Sequence, residues 1–169
     1  KFVGGLSFSG DWKGIDFSFL FQAGLGRDVA LTGVYSGGIM DNTQMTKPFY
    51  HGGNSPKYLV ENSWREDNTN AEFPRLSIVQ ASSNNAYSST FWYRSGDYLR
   101  LKNLQIGYTF PQKWMSRIGI DRLRIYFEGQ NLWTVSELTK FNIDPEQPGV
   151  SNGYYPQQRI FSFGVNLAF

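Results

Sequence analysis

Residues 161–169 set Phe161, Phe163, Val165, Leu167 and Phe169 at alternate positions, with Ser162, Gly164, Asn166 and Ala168 between them. A side-chain repeat of two belongs to an extended strand, whose successive side chains leave on opposite faces. One face here is wholly apolar, and the run has about the 10 residues that a tilted strand needs to cross a bilayer. The pattern recurs in residues 122–130, where Leu123, Ile125 and Phe127 oppose Arg122, Arg124, Tyr126, Glu128 and Gln130. Two arginines and a glutamate on one face would each cost several kcal/mol in a dry core, so the polar face is expected to be wet.

Residues 15–23 repeat the arrangement, with Ile15, Phe17, Phe19 and Phe21 against Asp16, Ser18 and Gln22, and Leu20 as the exception. Phe2, Leu6 and Phe8 predict a weaker, glycine-thinned strand before a turn at Gly10-Asp11-Trp12-Lys13-Gly14. Between Tyr98 and Phe110 the phase is mixed: Leu99 and Leu101 hold one parity, while Leu104, Ile106, Tyr108 and Phe110 hold the other. A β-bulge at Lys102 or Asn103 would reset the register. The slip is equally consistent with a strand leaving the membrane there.

The connections alternate in length. The turn at residues 10–14 is short, and residues 111–121 form a compact link with room for one helical turn over 112–117. Residues 24–90 and 134–158 are long and rich in Gly, Asn, Ser and Pro. Short periplasmic turns alternating with long extracellular loops are the habit of outer-membrane barrels, and this order puts Phe169 on the periplasmic side. The fold class expected is all-β: about five C-terminal strands of a large antiparallel transmembrane barrel. Five strands leave open edges that a bilayer does not tolerate, so the rest of the barrel must be supplied elsewhere.

Composition agrees with this reading. Aromatic residues make up 17 % of the chain and charged residues 18 %, with 18 glycines, a balance suited to pleated surfaces and their turns. The absence of cysteine excludes disulfides and thiolate chemistry. A formal charge of +2, with the basic residues dispersed, argues against a nucleic-acid partner. No stretch approaches the roughly 18 apolar residues of a spanning helix, and barrel strands escape such a search. The chain opens Lys1-Phe2-Val3-Gly4-Gly5 inside a strand-like run, with no initiator Met and no signal peptide, and is expected to be part of a longer polypeptide.

Specific wording strengthens the expectation. The run from Phe91-Trp92-Tyr93-Arg94-Ser95-Gly96-Asp97 through Tyr98-Leu99-Arg100-Leu101 to Gly107-Tyr108-Thr109-Phe110-Pro111 resembles the penultimate region of the SusC/RagA family. In order, the same resemblance takes in Leu123-Arg124-Ile125-Tyr126, Gly129-Gln130-Asn131-Leu132-Trp133-Thr134, Asp144-Pro145-Glu146, Gly153-Tyr154-Tyr155-Pro156 with Arg159, and the closing strand. Upstream, Trp64, residues 68–71 and Pro74-Arg75-Leu76 also fit. The resemblance implies a plugged barrel of about 22 strands in the outer membrane, with the plug and earlier strands outside residues 1–169. It further implies import of bulky nutrients, oligosaccharides or peptides, with energy from TonB and a SusD-like surface lipoprotein as lid. A dimer of transporter and lipoprotein pairs is expected on the same ground. Phe169 matches the terminal residue of the family's assembly signal.

Loop aromatics are the candidate ligand contacts, chiefly Trp64, Tyr87, Tyr154 and Tyr155, through stacking on sugar rings or peptide side chains. Phe91, Trp92 and Tyr93 stand beside them, but Trp92, Tyr93 and Trp133 are better read as an interfacial aromatic belt. Arg122, Arg124 and Glu128 suit a structural ion-pair ladder along the lumen. His51, the single histidine, lacks metal-like neighbours, and Asp41, Asp67, Asp144 and Glu146 lack the spacing of a calcium loop. No cofactor is expected. Gly24-Leu25-Gly26 is not a nucleotide fingerprint, and neither nucleophile elbow nor Walker sequence occurs, so no enzyme is expected. Three rivals remain: a siderophore or vitamin receptor, an adhesin barrel, and a soluble ligand-binding barrel with its Phe-rich faces turned inward.

Overall fold

The computed structural model describes residues 1–31, 57–76, 89–148 and 157–169. These fall into two compact units. The first comprises Lys1–Leu25, Tyr98–Val135 and Pro156–Phe169, and the second Gly26–Asp97 and Ser136–Tyr155.

The first unit is a five-stranded sheet. Strands β1 (Phe2–Trp12) and β2 (Ile15–Leu25) form an antiparallel hairpin in which Trp12 faces Ile15 and Gly10 faces Phe17. The turn is therefore two residues, Lys13 and Gly14, rather than the five expected from the sequence. Both have positive φ, 50° and 87°, the backbone that two-residue hairpin turns require to match strand twist. A Cβ on Gly14 would lie 2.7 Å from the carbonyl oxygen of Thr109, which reserves the position for glycine.

The remaining strands are, in chain order, β3 (Asp28–Ala30), β4 (Tyr93–Ser95), β5 (Tyr98–Thr109), β6 (Arg122–Ser136) and β7 (Ile160–Ala168). The sheet order is β1-β2-β5-β6-β7. Between β2 and β5 the register shifts once: Leu20 faces Asn103 and Phe21 faces Leu101, leaving Lys102 as the extra residue. The expected bulge thus falls at Lys102. It brings Leu99, Leu101, Leu104, Ile106 and Tyr108 to one face, opposite Ala23, Phe21, Phe19, Phe17 and Ile15. Phe110, just past β5, donates to the Leu123 carbonyl at the start of β6 at 3.0 Å, while Arg100 near the start of β5 reaches Thr134 near the end of β6, so this pair is antiparallel too. Strand β7 pairs with β6 from Arg122↔Ala168 to Gln130↔Ile160.

The link between β5 and β6 holds α2 (Gln112–Met115; α1 lies in the second unit) and a 3-10 turn, Ser116–Ile118, which stops at Gly119 with φ 73°. That is the single helical turn the spacing predicts. Met115 is buried and anchors it.

The second unit corrects the view of residues 24–90 and 134–158 as plain loops. Its described parts contain the β3–β4 ladder, α1 (Lys57–Glu61) and 3-10 turns at Thr90–Trp92 and Glu137–Phe141. They share a core of Val29, Leu31, Leu59, Phe73, Trp92, Leu138, Phe141 and Ile143. Phe73 stacks on Trp92 with centroids 6.1 Å apart and meets Phe141 edge-on at 6.2 Å. Each such buried side chain contributes about 1.5–3 kcal/mol, offset against the ordering of a long connection.

Candidate functional site

The sheet has two chemically different faces. On one, Phe2, Leu6, Phe8 and Trp12 of β1 continue the apolar rows of β2 and β5, and Leu123, Ile125 and Phe127 of β6 continue into Phe161, Phe163, Val165 and Leu167 of β7. These side chains are not a core: Phe163 is 82 % exposed, Leu6 66 % and Phe161 61 %. The rings pack only on one another along the surface, as Phe8 does with Phe19 at 5.6 Å and Phe127 with Phe163 at 5.2 Å.

The opposite face is polar and organised around glycines. Gly24, Gly107 and Gly164 all lie on it, each beneath a large neighbour: Tyr98 over Gly24, Arg124 over Gly107 and Tyr126 over Gly164. Gly107 faces Asp16 in register, and the Arg124 guanidinium crosses above it to hold both Asp16 carboxylate oxygens, with Nε donating to Oδ2 at 2.9 Å. The guanidinium carbon lies 4.9 Å from the Tyr126 ring centroid, a cation–π contact. Glu128 accepts from Gln130 at 3.1 Å. The expected ladder of Arg122, Arg124 and Glu128 is thus replaced by a cross-strand pair whose acid, Asp16, is 108 residues away in the chain. Arg100 is buried, donating to Thr134 Oγ1 at 2.9 Å and Gln157 Oε1 at 2.7 Å, and Lys102 Nζ reaches the same Gln157 oxygen at 3.3 Å.

Within the second unit, Glu72 is a hub. Its carboxylate accepts from Tyr58 Oη at 2.7 Å, from Arg94 Nη2 at 3.2 Å and from Lys140 Nζ at 3.1 Å. Burial pushes its carboxyl up, but hydrogen bonds from Tyr58, Lys140 and Arg94 outweigh that and hold it below the ordinary carboxylate range. Burial and the Glu72 hydrogen bond together raise the Tyr58 phenol. Glu137 adds a second carboxylate, 3.7 Å from both Arg94 and Lys140, and accepts from the Ser95 backbone N–H at 2.9 Å. None of this was evident from spacing, because the partners come from α1, β4 and a 3-10 turn far apart in sequence.

Beside the hub is a cleft of about 550 Å³, lined by Trp64, Glu72, Phe73, Arg75, Phe91 and Trp92 among others. Trp64, a predicted ligand contact, presents a partly exposed ring to it, and Phe91 a half-exposed one. Tyr87, Tyr154 and Tyr155 lie outside the described residues, as do Asp41 and His51. Trp92 departs from the belt reading: at 6 % exposure it is a core residue. Trp133 and Tyr93 remain about half exposed. Asp67 pairs with Arg65 at 3.1 Å, and Asp144 accepts from the Glu146 N–H at 2.9 Å. Among the described residues no group of three His, Asp or Glu is placed to hold a metal ion. No described helix is long and apolar enough to cross a membrane. Phe169, at the end of β7, is 84 % exposed.

An antiparallel sheet with one exposed apolar face and one charged face defines part of the wall of a membrane β-barrel. More particularly, the chain is similar to TonB-dependent receptors of the SusC/RagA kind, in sequence and in fold. It is 29 % identical over 171 residues to TonB-dependent receptor P3 of Formosa agariphila, spanning 94 % of this chain and 15 % of that protein. It is 27 % identical over 168 residues to the TonB-dependent receptor SusC of Bacteroides thetaiotaomicron, spanning 98 % and 15 %. The RagAB peptide importer in its open-open state superposes with a TM-score of 0.61 at 26 % identity, over 99 % of this chain and 17 % of that one. Its closed-closed state gives 0.60 at 27 %. No protein-family profile matches the chain. The chain therefore spans about a sixth of the length of these relatives, all of them named as receptors or importers and none as enzymes.

Proposed function

We propose that this chain is the closing stretch of an outer-membrane transporter that imports bulky nutrients, oligosaccharides or peptides, on energy delivered by TonB. The observation that carries the reading is the exposed phenylalanine face set against the Arg124–Asp16 face, which is how a barrel wall meets lipid on one side and a wet interior on the other. In this reading the two-residue Lys13-Gly14 turn and the α2 link face the periplasm, as does Phe169, whose strand β7 closes the barrel and carries the assembly signal. The long connections, residues 24–90 and 134–158, are the extracellular ones. A SusD-like lipoprotein covers the transporter's outer side, and transporter and lipoprotein pairs dimerise.

Ligand contact is proposed for Trp64, whose ring lines the cleft, and for Tyr87, Tyr154 and Tyr155. Aromatic faces against an Arg75 guanidinium suit either a sugar ring or a peptide side chain. No covalent step is needed from these residues.

Native mass spectrometry of the full-length protein, extracted in detergent, tests the reading. A plugged-barrel-sized chain bound to a lipoprotein, with a retained glycan or peptide, is the expected result. A protein that needs no detergent and carries no lipoprotein would make the soluble ligand-binding barrel the better account.

A further inference from the structure

At the short-turn end of the sheet, the β1–β2 turn and the β5–β6 link are neighbours, since Thr109 donates to the Gly14 carbonyl at 2.7 Å. This end carries large exposed apolar groups: Trp12, Trp114 and Ile118 are each more than half exposed. Trp114 and Ile118 stand four residues apart, as do Lys113 and Arg117, across a helical turn continued by a 3-10 turn. The short link thus carries two cations and two large apolar side chains, all exposed, within six residues. Between them Met115 is buried, while Trp114 and Ile118 stay exposed. On the neighbouring turn, Lys13 Nζ lies 4.8 Å from the Trp12 ring centroid, so an ammonium and an indole are again held side by side.

The charge at this end is unbalanced. Among the described residues none of Lys13, Lys113 or Arg117 enters an ion pair. The carboxylates flanking these turns are Asp121 in the link and, paired in register on the polar face, Asp11 and Asp16, the last already held by Arg124. Indole rings with cations at the rim of an apolar face match one chemical environment, the glycerol and phosphate layer of a phospholipid leaflet. A soluble partner would leave the adjoining phenylalanine face uncovered.

We propose that Lys13, Lys113 and Arg117, flanked by Trp12, Trp114 and Ile118, form a binding site for the phosphate of anionic phospholipids. The inference rests on the membrane-wall reading and adds a lipid preference to it. The indoles set the depth of this end in the interface, and the three cations take the phosphodiester oxygens.

The full-length receptor is reconstituted in nanodiscs of equal parts phosphatidylglycerol and phosphatidylcholine, and its retained lipids are counted by native mass spectrometry. Retained phosphatidylglycerol should exceed its supplied share. A K13Q/K113Q/R117Q variant should lower that enrichment by at least about tenfold, while K13R/K113R/R117K keeps it. Wild-type receptor retaining both lipids in the supplied ratio overturns the proposal, whether or not the glutamine variant folds. So does a folded glutamine variant that stays as enriched as wild type. A receptor that never enters the nanodisc fraction instead overturns the membrane-wall reading.

Discussion

Arg124 on β6 holds Asp16 on β2 across the full width of β5, and the strand between them presents Gly107 at the crossing point. Adjacent strands are about 4.8 Å apart, so the pair spans two inter-strand gaps. A Cβ at Gly107 would sit 2.5 Å from Arg124 Nη2 and 2.6 Å from Asp16 Oδ2. Gly107→Val should therefore part the two side chains without moving the backbone. The expected loss is on the order of 1 kcal/mol, because Asp16 keeps access to water. A double-mutant cycle of Asp16→Asn and Arg124→Gln, read by urea unfolding of the full receptor, should show coupling in wild type and none in the Gly107→Val background.

The outward phenylalanines set a different scale. Phe163→Lys should destabilise the receptor by about 2–4 kcal/mol or lower its yield in the outer membrane, because the ammonium would face hydrocarbon. Ser162→Lys, one residue away on the polar face, should cost far less. Equal effects of the two in urea titrations would contradict the assignment of faces.

Trp92 in the second unit and Trp133 on β6 in the first contrast a core indole with a surface one. Trp92→Ala should cost about 3–5 kcal/mol of local stability and expose residues 89–95 to hydrogen exchange. Trp133→Ala, with its ring about half exposed, should cost less than about 1 kcal/mol.

Glu72 makes the second unit sensitive to acid. Its carboxyl titrates below the ordinary 4.5, so the ion form contributes stability that is fully present above that value and is lost as pH falls through the lower, folded-state value. Hydrogen exchange around Tyr58, Arg94 and Lys140 should accelerate below about pH 4.5 in wild type. Glu72→Gln should be faster at neutral pH and show less further change on acidification.

The sheet was legible because alternation survives in β2, β6 and β7 with little interruption, and the phase slip in β5 required an extra residue near 102. Turn length was not: Gly10 and Trp12 look like turn residues, yet glycine serves there to make room beneath the Phe17 ring while the chain stays extended. The second unit was hidden for another reason. Phe73, Trp92 and Phe141 have no common period, and only the closed connections bring them together. Trp92 read as an interfacial aromatic because an isolated indole carries no mark of what will cover it. The Asp16–Arg124 pair was half visible: the wet face was evident from Arg124, its acidic partner was not. Trp64 does line a cleft, and that was readable only as an aromatic in a long connection.

Lys102 separates the alternation of β5 into two halves, yet removing it would join Leu101 to Asn103 and leave an unbroken alternating strand. Length can therefore change by one residue at this position without turning any side chain from lipid to water, whereas the loss of Phe19 or Ile125 would invert half a strand. Single-codon deletions along these strands should be purged by selection nearly everywhere and survive at 102, where the deletion also removes the ammonium 3.3 Å from Gln157 Oε1 while the Arg100 hydrogen bond to that oxygen stays.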